Sequence, residues 1–403
     1  MDKERAERLK TALSENNLDA IVCALPKHVL LLSGYWPVVG TSIAVALRDR
    51  PTHVIVPEDE KELAQGSGCV VHTYRPASLN RLITPAEAIV DPLKTLNSIP
   101  ATARIGVEGG DESEPASYAA MHLFGTALPD SLRVAFPSAS IQPIRDLLSS
   151  LRAVKTTLEV EHIRVACDIA RFGFEGGAGL LRPGLTEIMA AQIFRDRMKR
   201  ERAECPEVQR EENFVWVMSG LNSAKAHGAY ARSRTKIIES GDLVLVHCNL
   251  SAEGYWTDIT RTYSLGSPDK ERRSMYDAVF EARTMALNCI APGRKAADVD
   301  EAARSVLERR GFGKAFKHST GHGVGFEAIS PNALPRLHPK SPDVLQAGMV
   351  CNIEPAIYID GYGGIRHCDM VAVTEHGYEL LTPFQTTVQD LILSAGGVSS
   401  NSA

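Results

Sequence analysis

The pattern that most limits the fold of this 403-residue chain is a weak internal repeat in its second half. Pro183-Gly184 precedes a segment of helical character over residues 186–199, and Pro292-Gly293 precedes another over 297–310. Further on, His247 followed by Gly254-Tyr255 is echoed by Glu354 followed by Gly361-Tyr362. Both echoes sit at an offset of 107 positions (354 − 247 and 361 − 254), while the two Pro-Gly pairs differ by 109 (292 − 183). Such a repeat implies two helix-plus-hairpin halves packed about a pseudo-twofold axis. The competing reading is a coincidence of common dipeptides.

The first half has a different texture. Residues 3–16 have helical character, whereas 19–24, 42–47 and 52–56 are short β-rich runs, and 76–98 mixes helix and loop signals. An α/β domain is expected there. Residues 147–155 lead into Thr157-Leu158-Glu159-Val160-Glu161, which predicts a long helix across the join. Thr157 is placed to cap its second part, and Val160, Ile163, Ala166, Cys167 and Ala170 form an apolar stripe. The domain boundary is expected near residue 153, giving 1–152 and 153–403.

Bulk properties exclude several functions. A formal charge of −5 with acids and bases interspersed gives no basic patch, so nucleic acid is not an expected partner. The longest weakly charged stretch, 29–47, is broken by Gly34, Pro37 and Gly40, which argues against a membrane span. The N-terminal Met-Asp-Lys-Glu-Arg shows no apolar signal core. Eight scattered cysteines without a CxxC pair then point to reduced thiols and a cytoplasmic location.

Several polar residues stand where an apolar strand or a tight bend needs a reason for them. Strand alternation puts His247 and Asn249 on one face, with Val246 and Cys248 on the other. Glu253-Gly254 suits a turn, so Asp258, eleven residues on (258 − 247), lies on the returning strand. A carboxylate in such a strand needs a cation or several donors. His247 alone also reads as a satisfied core histidine. In His318-Ser319-Thr320-Gly321-His322-Gly323-Val324-Gly325 the glycines let backbone pass close to a ligand. Glu354 closes the apolar run Met349-Val350-Cys351-Asn352-Ile353. Arg366 and Cys368 share a strand face and His367 points away; Cys368 is either an inert buried thiol or a ligand.

Taken together these strings resemble the pita-bread metallopeptidase family, which includes Xaa-Pro dipeptidase, aminopeptidase P and methionine aminopeptidase, with creatinase as a metal-free cousin. The resemblance covers about residues 151–385. It extends more loosely to the N-terminal half through Leu-Asp-Ala-Ile-Val (18–22) and Leu-Leu-Ser-Gly-Tyr (31–35). It implies an α/β (α+β) chain: an N-terminal creatinase/prolidase-like α/β domain, then a pita-bread catalytic domain with pseudo-twofold duplication. It also implies metal ligands at His247, Asp258, His322, Glu354 and Cys368, where metal-binding members carry Asp, Asp, His, Glu and Glu. A cysteine ligand favours zinc or iron over manganese.

By the same resemblance Glu354 doubles as general base or acid, and His227, in Ser219-Gly220-Leu221-Asn222-Ser223-Ala224-Lys225-Ala226-His227, and His318 face the substrate. From its strand face Arg366 is expected to orient acidic ligands, and Arg336, in Leu334-Pro335-Arg336, reads either as a partner for a substrate carboxylate or as a surface arginine. A further family histidine is expected at 329 and an acid after it; this chain has Ile329 and Ser330, a departure that bears on Xaa-Pro cleavage. The expected function is hydrolysis of an amide or other C–N bond in a small peptide or peptide-like substrate, with zinc, iron or manganese, or no metal, and a homodimeric assembly by analogy. Two alternatives stand beside it. One is a metal-independent, creatinase-like C–N hydrolase or lyase; creatinase also departs at the positions of His247 and Cys368 but lacks the acid matching Asp258. The other is a non-catalytic binding protein.

Overall fold

The β-rich runs of the first half pair into one mixed sheet. The computed structural model describes residues 2–80, 82–109, 126–228, 232–330 and 332–394, and the chain separates into two units, Met1–Arg152 and Ala153–Ala403. In the first unit β1 (Ala20–Cys23), β2 (Ile43–Leu47), β3 (His53–Pro57), β4 (Val70–Tyr74), β5 (Arg104–Val107) and β6 (Ser140–Pro143) lie in the order β4-β3-β2-β1-β5-β6. β2 is antiparallel to β1 and to β3, and the other pairings are parallel. Within the mixed 76–98 stretch, the Thr84 hydroxyl and Glu87 form a capping box that starts the helix Pro85–Lys94. That helix buries Ile89 and Leu93 against the sheet core beside Leu128 and Leu132. The weakly charged stretch 29–47 is divided between the helix Pro26–Ser33 and β2. Among the described residues no helix is long and apolar enough to cross a membrane.

The continuous helix expected across the join, from residue 147 through Thr157, is not present. One helix, Arg145–Ala153, stops, and a second, Thr157–Ala178, begins anew. Between them Val154 bridges Met349 and the Lys155 N–H donates to the Gly348 carbonyl at 2.8 Å, so the backbone there is engaged by a strand partner. The cap is Thr156, not Thr157: its hydroxyl accepts the Glu159 N–H, and the Glu159 carboxylate accepts the Thr156 N–H at 2.9 Å. Ile163, Ala166, Cys167 and Ala170 are buried as their spacing requires, with Val160 half-buried at the edge of the stripe.

The second unit repeats one plan twice. Helices Thr157–Ala178 and Glu187–Ala203 precede β7 (Glu211–Ser219), β8 (Leu243–Ala252), β9 (Tyr255–Trp256) and β10 (Ile259–Leu265). Helices Lys270–Asn288 and Ala296–Arg309 precede β11 (Val350–Ile353), β12 (Ala356–Ile359), β13 (Gly363–Arg366), β14 (Asp369–Thr374) and β15 (Gly377–Leu380). β16 (Ile392–Leu393) closes the order β16-β10-β8-β7, while β11-β14-β15 and β12-β13 form separate ladders. Positive φ at Glu253 and Gly254 makes the tight turn that sends β8 back through β9 and β10. The two halves meet where Thr260 and Cys368 exchange backbone hydrogen bonds of 3.0 and 3.4 Å.

Candidate active site

Four chain segments deliver polar side chains to the mouth of the second unit. β8 carries His247 and Asn249 on one face, and register places His247 opposite Thr260. Asp258 immediately precedes β10 and Glu354 immediately follows β11. The glycine-rich bend brings His318 and His322. Its glycines are obligatory: a Cβ on Gly321 would lie 2.0 Å from the Asn352 carbonyl oxygen, and one on Gly323 would lie 2.0 Å from that of Leu334. Arg366 ends β13, and Cys368 falls just before β14. A cavity of about 830 Å3 opens onto Asp258, Glu354, His247, His318, His322, His227, Arg336 and Arg366.

Asp258 is the centre of this group. Its Oδ2 lies 3.5 Å from His322 Nε2 and its Oδ1 lies 3.6 Å from His247 Nδ1. Asp258, Glu354 and Cys368 each offer an oxygen or sulfur atom within 4.8 Å of the others. The Cys368 thiol lies 3.8 Å from Asp258 Oδ1 and 3.1 Å from the Asp258 carbonyl oxygen. Two largely buried carboxylates this close together require compensating positive charge. Oxygen, nitrogen and sulfur donors in one cluster suit a divalent transition metal. The donor set therefore fits the cation that the family resemblance implies.

The protonation pattern follows from this crowding. Burial pushes the Glu354 carboxyl up, the Asp258 charge adds to it, and the group reaches about 7. Burial would lower His322, but the hydrogen bond and charge of Asp258 outweigh it and raise the imidazole to about 9. Burial would raise Asp258; the facing imidazoles of His247 and His322 hold it below its ordinary value. The Cys368 thiol is held well above its ordinary value by burial and by the Asp258 and Glu354 charges. A bound cation reverses that last effect, because a coordinating thiol loses its proton.

Hydrogen bonds fix the rings. His322 Nδ1 donates to the Gly323 carbonyl at 3.0 Å, which leaves Nε2 on the side of Asp258. Asn352 braces both partners. Its Nδ2 lies 3.3 Å from Asp258 Oδ2 and 3.3 Å from His322 Nε2, and its Oδ1 accepts the His322 backbone N–H at 2.7 Å. His318 Nδ1 donates to the Ser319 carbonyl at 2.8 Å, so its Nε2 receives the Tyr358 hydroxyl at 3.1 Å. Burial and the Arg366 charge lower His318 to about 4, which keeps the ring neutral. Arg366 Nη1 donates in turn to Tyr358 at 3.2 Å, and its Nε lies 4.0 Å from Glu354 Oε2. His227 stands nearer solvent, with Lys317 Nζ 3.5 Å from its Nε2 and its ring 5.2 Å from Tyr358.

Arg336 lines the cavity, but its guanidinium is engaged by both Asp343 oxygens at 2.6 and 2.8 Å. Ile329 and Ser330 also line it, Ile329 with 53% exposure. His367 does turn away, packing on Phe280 and lying 3.3 Å from Asp369. Beneath the site the fully buried Arg261 donates to the Cys368 carbonyl at 2.7 Å and to Asp369 at 2.7 Å. Asn352, Thr260 and Tyr358 were not singled out by sequence. Asn352 sits two positions before Glu354, and β alternation was the available signal for it.

Comparison with known proteins agrees with this architecture. Residues 161–375 match metallopeptidase family M24. The chain is 33% identical over 381 residues to an Xaa-Pro dipeptidase of Pyrococcus furiosus, covering 94% of this chain and 98% of that one. A prolidase structure from Pyrococcus horikoshii superposes with a TM-score of 0.75 at 27% identity, covering 94% of this chain and 98% of the other. An X-Pro aminopeptidase structure from Thermotoga maritima gives 0.78 at 25% identity, covering 97% and 99%. With half its length matching the family and a relative matched almost end to end, the chain belongs to metallopeptidase family M24, as a peptide-cleaving hydrolase with an N-terminal domain followed by the pita-bread domain.

Proposed function

We propose that this protein is a metal-dependent peptidase of the Xaa-Pro type, acting on small peptides with a divalent cation held by Asp258, His322, Glu354 and Cys368. The observation that carries the reading is the convergence of Asp258, Glu354 and Cys368 within 4.8 Å, with His322 Nε2 at 3.5 Å from Asp258. The relatives named Xaa-Pro dipeptidase and X-Pro aminopeptidase support the substrate class.

Asp258, His322, Glu354 and Cys368 would hold a divalent cation there, which would supply a lowered pKa to a bound water and polarisation of the scissile carbonyl. Glu354, which converges with Asp258 and Cys368 where the cation would sit, is placed to take up and release the proton of a water bound there. Asn352 holds Asp258 and His322 in register, and Arg366 balances the acidic groups from 4.0 Å. His318 meets the substrate as a neutral ring, and His227 stands nearer solvent at the cavity wall. Arg336 marks the wall at which a peptide carboxylate would compete with Asp343. The mixed donor set with one sulfur supports zinc or iron ahead of manganese. Eight free thiols, all among the described residues, support a reducing cytoplasm, and a homodimer is carried by analogy with the family.

The test is hydrolysis of paired Xaa-Pro and Xaa-Ala dipeptides before and after exhaustive chelation. The reading requires Xaa-Pro turnover that chelation abolishes and zinc, iron or manganese restores. Turnover that survives chelation would replace it with a creatinase-like route, and failure to cleave any peptide would overturn it.

A further inference from the structure

We infer that the site holds one cation per chain and that His247 closes a second metal position instead of filling it. This rests on the metal-dependent reading above.

His247 is the residue that stands beyond Asp258 on the first hairpin, and both of its ring nitrogens are already used. Asn249 donates its Nδ2 to the Thr257 carbonyl at 3.2 Å, which turns its Oδ1 towards His247 Nε2 at 3.2 Å. Nε2 therefore carries the ring proton and donates it. On the other side Arg366 Nε donates to Thr260 Oγ1 at 3.0 Å, so the Thr260 hydroxyl proton is free to point at His247 Nδ1, 3.0 Å away. The chain of donors runs Arg366 to Thr260 to His247 to Asn249 to the Thr257 carbonyl. The lone pair that would bind a metal is the one that accepts the Thr260 hydroxyl.

Two further features oppose a cation there. The ring stacks on Trp216 with centroids 5.5 Å apart and planes 20° apart, which restrains its rotation. A dication on Nδ1 would also displace the Thr260 proton and lie close to the Arg366 guanidinium that Thr260 binds.

Charge balance gives the same number. Asp258, Glu354 and a metal-bound Cys368 thiolate supply three negative charges, with His322 neutral. One dication and the Arg366 guanidinium cancel them. Two dications with Arg366 leave a surplus of two positive charges over these three anions, which disfavours a second cation. The two exchanged residues thus act together: an imidazole in place of a carboxylate at 247 and a thiol in place of a carboxylate at 368 leave one four-donor position of mixed oxygen, nitrogen and sulfur.

The experiment is metal analysis of the full-length protein loaded with excess Co(II) and desalted, with the absorption spectrum recorded on the same sample. One equivalent with a thiolate-to-Co(II) charge-transfer band that disappears in Cys368→Ser is the expected result. Two equivalents would overturn the single-cation inference while leaving the metal-dependent reading intact. No bound cobalt, with zinc and iron also failing to bind, would overturn both. One equivalent without the charge-transfer band would overturn the part given to Cys368. His247→Asp, checked for native circular dichroism, is expected to take up a second equivalent; a folded variant that stays at one would show that His247 is not what closes the position. Should that variant fail to fold, the wild-type stoichiometry still decides.

Discussion

His322 Nε2 lies 3.5 Å from Asp258 Oδ2, and the amide of Asn352 lies 3.3 Å from both. A bend and a hairpin separated by more than sixty residues are thus held at a common point by a side chain from a third element.

Replacing Asn352 with Ala removes that brace while leaving every proposed ligand in place. Partners of this kind typically contribute about 10–100-fold to metal affinity. The expected outcome is a loss of that size in competition titrations with a chromophoric chelator, with the fold retained by circular dichroism. Unchanged affinity would show that Asp258 and His322 hold their positions unaided.

Metal-free protein should lose stability as pH rises from 7 to 9. His322 is raised from 6.5 to about 9 in the folded state, so its contribution is complete below 6.5 and is lost as pH passes through about 9. Glu354, raised to about 7, also favours the folded state at low pH, and its contribution is already spent by about 7. Thermal melts of chelated protein across this window should show Tm falling. Melts with saturating zinc should show a widening gap over the chelated protein, because metal ligands must be deprotonated. A Tm that is flat or rising from pH 7 to 9 without metal would contradict the His322–Asp258 ion pair.

Gly321→Ala tests the close approach in the bend. The added Cβ would sit 2.0 Å from the Asn352 carbonyl oxygen, and backbone has to move to admit it. Overpacking of this type costs about 1–3 kcal/mol. Urea unfolding should register that loss, accompanied by weaker metal binding because Asn352 itself is displaced. A variant with wild-type midpoint and affinity would contradict the packing of the bend on β11.

The helix that opens the second unit offers a paired comparison. Thr156→Ala removes a capping box and should cost about 1 kcal/mol. Thr157→Ala leaves that capping box intact and should cost less than Thr156→Ala. Equal losses would place the helix start one residue later.

The sequence carried local geometry well and tertiary hydrogen bonding poorly. Alternation along residues 243–252 was enough to put His247 beside Asn249, and the Glu253-Gly254 turn was enough to return the chain to Asp258. The repeat of helix pair and hairpin is present as two successive sets of elements. The break at residues 154–156 was not legible, because the strand partner that engages Val154 and Lys155 is nearly two hundred residues away at Gly348 and Met349. Thr156 and Thr157 are adjacent, and only the pairing with Glu159 distinguishes the cap. The ring state of His247 was likewise hidden: it depends on Thr260, across the hairpin, being turned by Arg366 from the other half of the unit. Asn352 lay within reach of the same alternation that marked His247, since it shares a strand face with Glu354.

The most direct test of the metal centre is X-ray absorption at the zinc edge on the zinc-loaded enzyme. A mixed site on Asp258, His322, Glu354 and Cys368 requires one sulfur at about 2.3 Å together with nitrogen and oxygen at about 2.0–2.2 Å. A shell of nitrogen and oxygen alone, or the same spectrum from Cys368→Ser and wild type, would contradict it.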